Sequence, residues 1–261
     1  MMGRNTFFWA VFAVFMSHSF IANAATAEED LWSALKQTYF GDREIHENAD
    51  DVLILEAPTR AEDAAIVPIS VKSVQPQTAE RYIKNIHIII DKNPMPYSAN
   101  FHLSPTLGDI DIATRVRVDQ YTDMRAIAEM NDGSLHMVSK FVKASGGCSA
   151  PAGKDMEAAM ARLGKMQIRM REANIGETTK AQVVVSHPNN SGLQFDQKTR
   201  GYIPPHYVKE IIIDFDDENL ITLEAGISIS EDPSIKKAVL NGLFLVADIS
   251  QKLLDSTFFI S

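Results

Sequence analysis

Cysteine is nearly missing from this chain. Cys148 stands alone among 261 residues, which rules out an internal disulfide and any paired Cys–His metal spacing. Cations are also scarce, with 25 Lys and Arg against 34 Asp and Glu and a net charge of −9. That balance disfavours nucleic acid and anionic membrane surfaces, which both call for a positive field. There is no phosphate loop and no dinucleotide fingerprint. No helical period is long enough for the crossovers of a parallel sheet, which argues against α/β folds. Long apolar runs are confined to the start of the chain, and no later segment is apolar enough to span a membrane.

That first run is informative. Met1–Asn5 carries one positive charge, at Arg4, and an apolar stretch follows from Phe7 to Met16, weakening towards Ala22. Ala22-Asn23-Ala24 supplies small residues where a signal peptidase reads, so residues 1–24 are expected to be a leader cleaved after Ala24. Ser17, His18 and Ser19 interrupt the run, which falls short of the ~20 apolar residues of a spanning helix. Without Arg4 the net charge becomes −10. An exported chain occupies a compartment where disulfides persist, yet Cys148 has no internal partner. It is a reactive or intermolecular thiol, or a core cysteine acting as a small hydrophobe.

The body of the chain reads as strands. A helix is expected over Glu28–Phe40, with Leu31, Leu35 and Tyr39 at helical spacing and Gly41 as its stop. Short segments of period-two alternation follow at Asp51–Ala57, Ile66–Val74, Lys84–Asp91, Ser98–Leu103, Asp111–Asp119, Thr122–Met130 and Leu135–Lys143. Asn131-Asp132-Gly133 is a hairpin signal between the last two. About seven short strands with frequent turns make an antiparallel sandwich pattern. A second set is expected at Lys165–Arg171, Lys180–Ser186, Tyr207–Asp216, Asn219–Glu224, Gly242–Asp248 and Ser256–Ile260. The fold class is therefore all-β, with two immunoglobulin-like antiparallel β-sandwiches at residues 28–143 and 164–261. Residues 144–163 join them as a glycine-rich arm and a short helix, with Asp155 as N-cap, Met156, Met160 and Leu163 as its stripe, and Gly164 as its end.

The arm, Ala144-Ser145-Gly146-Gly147-Cys148-Ser149-Ala150-Pro151-Ala152-Gly153, holds nothing that builds a core. It reads as a mobile loop in which Gly146 and Gly147 give flexibility and no bulky side chain shields the sulfur. Lys143, Lys154 and the start of the helix at Asp155 are candidates to help ionise a thiol whose reference pKa is about 8.5. A catalytic cysteine needs a rigidly held base, and a glycine arm provides the opposite, so no catalytic residue, metal or cofactor is expected. His87, His102 and His136 lie in or beside the expected strands and read as residues of the sheets. His187 and His206 bracket a long loop, His187–Pro205, of a length that is often functional or packed against a partner. Asp50-Asp51, Asp216-Asp217 and Glu231-Asp232 read as solvated turn acids.

Several stretches carry a family resemblance. Residues 61–69 (AEDAAIVPI), Asp91-Lys92-Asn93-Pro94-Met95-Pro96, Thr114-Arg115-Val116-Arg117 and the run from Phe141 to Cys148 are similar to SoxY. Ser186-His187-Pro188, Gly192, Gly201-Tyr202-Ile203-Pro204 and Ile229-Ser230-Glu231-Asp232-Pro233 are similar to SoxZ. The chain thus resembles the SoxYZ carriers of periplasmic sulfur oxidation, and more closely the fused SoxYZ-like carriers associated with quinoprotein dehydrogenases. The resemblance implies a non-enzymatic periplasmic carrier. Cys148 would hold a sulfur species or similar adduct covalently for partner enzymes: a quinoprotein dehydrogenase, a cytochrome c or sulfur-oxidation proteins. The competing expectation is a binding or chaperone module for such a dehydrogenase or its cytochrome. In SoxY the cysteine sits in Gly-Gly-Cys-Gly-Gly at the C-terminus, whereas Ser149-Ala150-Pro151 follows it here and the chain continues. Tethered at both ends, ~6 residues at ~3.3 Å each would project the sulfur at most ~20 Å.

Overall fold

Alternation of apolar and polar residues sets most of the strands. Side chains of successive strand residues point to opposite faces, and in Val67–Ser73 this buries Val67, Ile69 and Val71 while Pro68 stays exposed. The computed structural model describes residues 30–151, 156–170, 178–215, 218–240 and 251–252. The expected strands at Gly242–Asp248 and Ser256–Ile260, the leader and the Asp155 cap lie outside them.

Residues up to Arg43 form one unit, and Glu44–Ser261 forms the other. The first holds helix α1 over residues 30–40, which ends at Gly41 (φ +62°), whose N–H reaches Gln37 O at 3.1 Å. Trp32 and Phe40 are its buried side chains.

The second unit is all-β. Its strands in the first half are β1 (Ile45–Glu47), β2 (Leu53–Glu56), β3 (Val67–Ser73), β4 (Ile83–Ile90), β5 (Tyr97–Leu103), β6 (Asp111–Val116), β7 (Thr122–Met130) and β8 (Leu135–Val142). After the short helix α2 (Met156–Met160) come β9 (Met166–Met170), β10 (Thr178–Val185), β11 (Phe195–Asp196), β12 (Gly201–Tyr202), β13 (Glu210–Phe215), β14 (Glu218–Ala225), β15 (Ser234–Leu240) and β16 (Gln251–Lys252). The Asn131-Asp132-Gly133 turn joins β7 to β8 as expected. Gly133 takes φ +88°, and Asp132 Oδ1 accepts from the Ser134 N–H at 2.8 Å.

Two large sheets result, one ordered β1-β8-β7-β4-β5-β14-β13-β16 and the other β2-β3-β6-β15-β10-β9. All pairings in them are antiparallel except β1 with β8. The antiparallel sandwich expectation is borne out, with an added feature. The two halves meet edge to edge, so each sheet runs through both. On one side Ala99–Leu103 of β5 pairs with Ile221–Ala225 of β14, and on the other Ile112 and Ala113 of β6 pair with Lys237 and Lys236 of β15. One apolar cluster extends from Leu55, Ile86, Ile88 and Phe101 to Val185, Ile211, Leu223 and Ile229. Each fully buried side chain of this size contributes about 1.5–3 kcal/mol. The joined edges also leave fewer open strand margins for unwanted pairing.

Candidate functional site

Cys148 lies on a turn just beyond β8, and the chain closes over it. It is completely buried, with 0% of its surface accessible. The expectation of an uncovered, mobile loop is therefore corrected for this state. The reason is that a small, glycine-rich loop can pack closely as readily as it can move. Gly147 N–H donates to Val118 O at 3.0 Å, and Gly146 N–H donates to Asp119 O at 2.8 Å. A Cβ on Gly147 would overlap the Ala64 carbonyl and come within 2.6 Å of Val118 O, so nothing larger than glycine fits. Gly146 takes φ +78°, a conformation that side chains disfavour. Both glycines have a geometric task in the closed loop.

Arg117 is the principal clamp. It is 1% exposed and donates from Nη1 to Gly147 O at 3.1 Å and from Nη2 to Asn189 O at 3.4 Å. It thus ties the cysteine loop to the segment after β10. Alternation in the sequence set Arg117 opposite Val116 and Val118, but β6 ends at Val116 and all three are buried. Asn93 fixes this stretch from the other side. Its Nδ2 donates to Arg117 O at 2.8 Å and to Ser228 Oγ at 2.9 Å, and its Oδ1 accepts from Asp119 N–H at 2.9 Å.

The His187–Pro205 loop supplies the cover. Ser191 Oγ donates to the Cys148 carbonyl at 2.5 Å and lies 3.1 Å from Gln194 Oε1. Asn189 Nδ2 donates to Ile229 O at 3.1 Å, while its Oδ1 accepts from Val208 N–H at 3.1 Å. His187 is buried, with Nδ1 accepting from Asn189 N–H at 3.0 Å and its ring 4.7 Å from that of His206. The two loop histidines are therefore adjacent, and His187 belongs to the segment that covers Cys148. Sequence reading missed Arg117, Asn189, Ser191 and Gln194. The only sign of Arg117 was its place in the Thr114–Arg117 stretch.

The electrostatics keep the closed thiol neutral. Burial, assisted by the Asp119 charge and opposed by Arg117, pushes the Cys148 pKa up to about 12. Arg117 is the cation acting on the sulfur, in place of Lys143, and Lys154 lies outside the described residues. Burial also lowers the Arg117 pKa. It lowers that of His187 to about 4, with the His206 charge adding to the effect. Elsewhere, His87 Nδ1 is 2.6 Å from Tyr97 Oη, the His46 and His136 rings lie 5.0 Å apart, and His102 Nε2 is 3.3 Å from Glu224 Oε1. None of these four is drawn to Cys148. Among the described residues, no group of three or more His, Cys, Asp and Glu is placed to hold a metal ion.

Residues 36–148 match the family of the sulfur oxidation protein SoxY, and residues 168–242 match that of the sulphur oxidation protein SoxZ. The chain joins a SoxY domain to a SoxZ domain. Both matched families are of sulfur oxidation. No curated protein sequence matches it. Among solved structures it is similar to the sulfur carrier protein SoxY from Chlorobium limicola f thiosulfatophilum, at 23% identity and TM-score 0.37, over 45% of this chain and 94% of that one. It is also similar to the superoxide reductase (neelaredoxin) from Ignicoccus hospitalis, at 16% identity and TM-score 0.34, over 38% of this chain and 94% of that one. In the SoxY–SoxZ fusion, Cys148 is the last residue of the SoxY match, and its cover, from His187 to Gln194, falls within the SoxZ match.

Proposed function

We propose that this fusion is a periplasmic carrier that holds a sulfur species, or a similar small adduct, covalently on Cys148 and presents it to partner enzymes of a quinoprotein dehydrogenase system. The observation that carries this reading is the setting of Cys148. The only cysteine ends the SoxY match on a loop held by polar contacts and close backbone packing, outside any strand. Such contacts break one at a time, each net about 0.5–1.5 kcal/mol, so a loop can open without unfolding the sheets.

The raised thiol pKa gives the two states different chemistry. The thiolate is the nucleophile. With a pKa of about 12, the closed sulfur is protonated and inert at neutral pH. Opening returns it to water, where its pKa falls back towards 9.0 and a thiolate fraction appears. In this reading loading and transfer occur in the open state, and the closed state stores. The leader read at residues 1–24 supports the periplasmic location.

The test is intact-mass measurement of protein purified from periplasm. The expected result is an adduct that disappears with reductant and with Cys148→Ser. A uniformly unmodified mass in cells oxidising sulfur compounds would overturn the reading.

A second reading, a non-covalent module for the dehydrogenase or its cytochrome, rests on a different observation. A cavity of about 350 Å³ is lined by residues of β3, β6, β9, β10 and β15 and by Asp232, with three cations, Arg115, Arg169 and Lys236, against that one acid. A cationic groove on an acidic chain suits an acidic partner surface. Growth dependent on the dehydrogenase that is indifferent to Cys148→Ser would favour this reading over the carrier.

A further inference from the structure

The shell around Cys148 has hydrogen-bond donors to spare. Buried polar groups are nearly always paired, and the exceptions call for a reason. Three buried nitrogen atoms here have no partner: Arg117 Nε, His187 Nε2 and Gln194 Nε2. All three belong to the segments that close on the cysteine loop. Arg117 bonds to Gly147 O, Gln194 shares Ser191 Oγ with Cys148 O, and His187 accepts from Asn189, whose carbonyl takes Arg117 Nη2.

All three are donors. The Arg117 guanidinium has no acceptor lone pair. His187 Nδ1 is occupied as an acceptor, so the neutral ring carries its proton on Nε2. Gln194 Oε1 accepts from Ser191 N–H at 2.8 Å, which fixes Nε2 as the free end. The fourth orphan in this shell, Asn190 Oδ1, belongs to an amide whose two ends can be exchanged. The remaining orphans, Asn85 Oδ1, Asn100 Oδ1 and Thr114 Oγ1, are oxygens in the first half of the chain. Arg117 also makes no ion pair with a carboxylate among the described residues. Asp119 outweighs Arg117 at the sulfur itself, so a buried guanidinium together with surplus N–H groups suits a ligand whose negative charge sits on acceptor oxygens beyond the sulfur.

We propose that Arg117, His187 and Gln194 form an oxyanion cradle that receives the negatively charged oxygen-bearing end of a group attached to the Cys148 sulfur. This rests on Cys148 being the attachment point. It adds that the closed state selects cargo by charge: an S-sulfonate is held, and a neutral adduct of similar size is not. The chain would then close more firmly when loaded with an oxyanion than when carrying a neutral group.

The test uses the full purified protein with defined adducts. Cys148 is converted in urea to its thionitrobenzoate mixed disulfide. Sulfite then attacks the Cys148 sulfur, forming a new S–S bond and expelling thionitrobenzoate as the thiolate. A second sample is carbamidomethylated on Cys148. Both are refolded, and their unfolding by urea is compared at pH 7.5 and low salt. The expected result is a folding equilibrium constant about tenfold or more larger for the S-sulfonate, from two or more charge-assisted hydrogen bonds. Gln194→Glu keeps the acceptor used by Ser191 but adds a negative charge, and it should abolish or invert the difference. If that variant fails to fold, Gln194→Met removes the donor without a charge. Equal or lower stability of the S-sulfonate in the unsubstituted protein overturns the cradle. Because the adducts are made chemically, stabilisation of the S-sulfonate alongside an unmodified mass in cells would sink the carrier reading and leave the cradle standing. The reverse pair of results would do the opposite.

Discussion

Arg125 and Arg117 are both buried, at 9% and 1% exposure, and are housed in opposite ways. Arg125 on β7 meets Asp91 through Nε at 3.0 Å and Nη2 at 2.8 Å, a forked pair that meets the carboxylate with two nitrogens. Arg117 reaches backbone carbonyls of two loops and leaves Nε unpartnered. A closed ion pair belongs to the framework. A buried cation hydrogen-bonded to carbonyls, with the Glu231 and Asp63 charges acting on it only without a direct ion pair, is costly to fold and calls for a use. The contrast separates the part of the protein that builds the sandwich from the part that encloses Cys148.

The largest effect should come from the framework side. Asp91→Ala takes the forked partner from a buried guanidinium and leaves Asp123 Oδ2 at 3.8 Å, and about 3 kcal/mol of stability, the low end for a broken buried pair, should be lost by urea unfolding. Cys148 labelling should change only as far as global unfolding does. Faster labelling with no loss of stability would mean that the two regions are not separate.

Gly147→Ala attacks the other side. The added Cβ has no room against the Ala64 carbonyl, and overpacking of this kind costs about 1–3 kcal/mol. Here the loop can relieve it by opening, so alkylation of Cys148 in native protein should accelerate about tenfold or more.

The pH profile of the site follows from its two most strongly shifted groups. The Cys148 pKa rises from 9.0 to about 12 on burial, so the closed state is fully favoured below 9 and weakens as pH climbs towards 12. His187 falls from 6.5 to about 4, so its contribution is complete above 6.5 and is lost as pH drops towards 4. The urea midpoint should be flat between these limits and fall on both sides. Cys148→Ser should remove the alkaline arm, and persistence of that arm would assign it elsewhere. Smallest is Ser191→Ala, which removes one hydrogen bond to Cys148 O. About 1 kcal/mol, or roughly fivefold in alkylation rate, is expected.

Much of the sandwich was legible from local pattern. Ile66–Val74, Lys84–Asp91, Thr122–Met130 and Leu135–Lys143 agree with β3, β4, β7 and β8 to within a residue or two. The three-residue β1 and two-residue β11 and β12 are too short to establish a period. The joining of halves through β5–β14 and β6–β15 is a long-range register, which no local window contains. At the site, the cysteine and its glycines stood out because of their composition. Their burial did not, since Gly147 serves close packing through the same missing Cβ that would permit movement. Arg117 was concealed by the alternation rule, which fails where β6 ends.

In the proposed carrier, Cys148 is stored closed and presented by local opening. Alkylation of the native protein by iodoacetamide, followed alongside urea unfolding, tests it most directly. Labelling should go to completion at a rate about 100-fold or more below that of the unfolded chain, yet faster than global unfolding allows. Labelling that tracks global unfolding would make Cys148 a core residue. Labelling at the unfolded rate would mean that no closed state protects it.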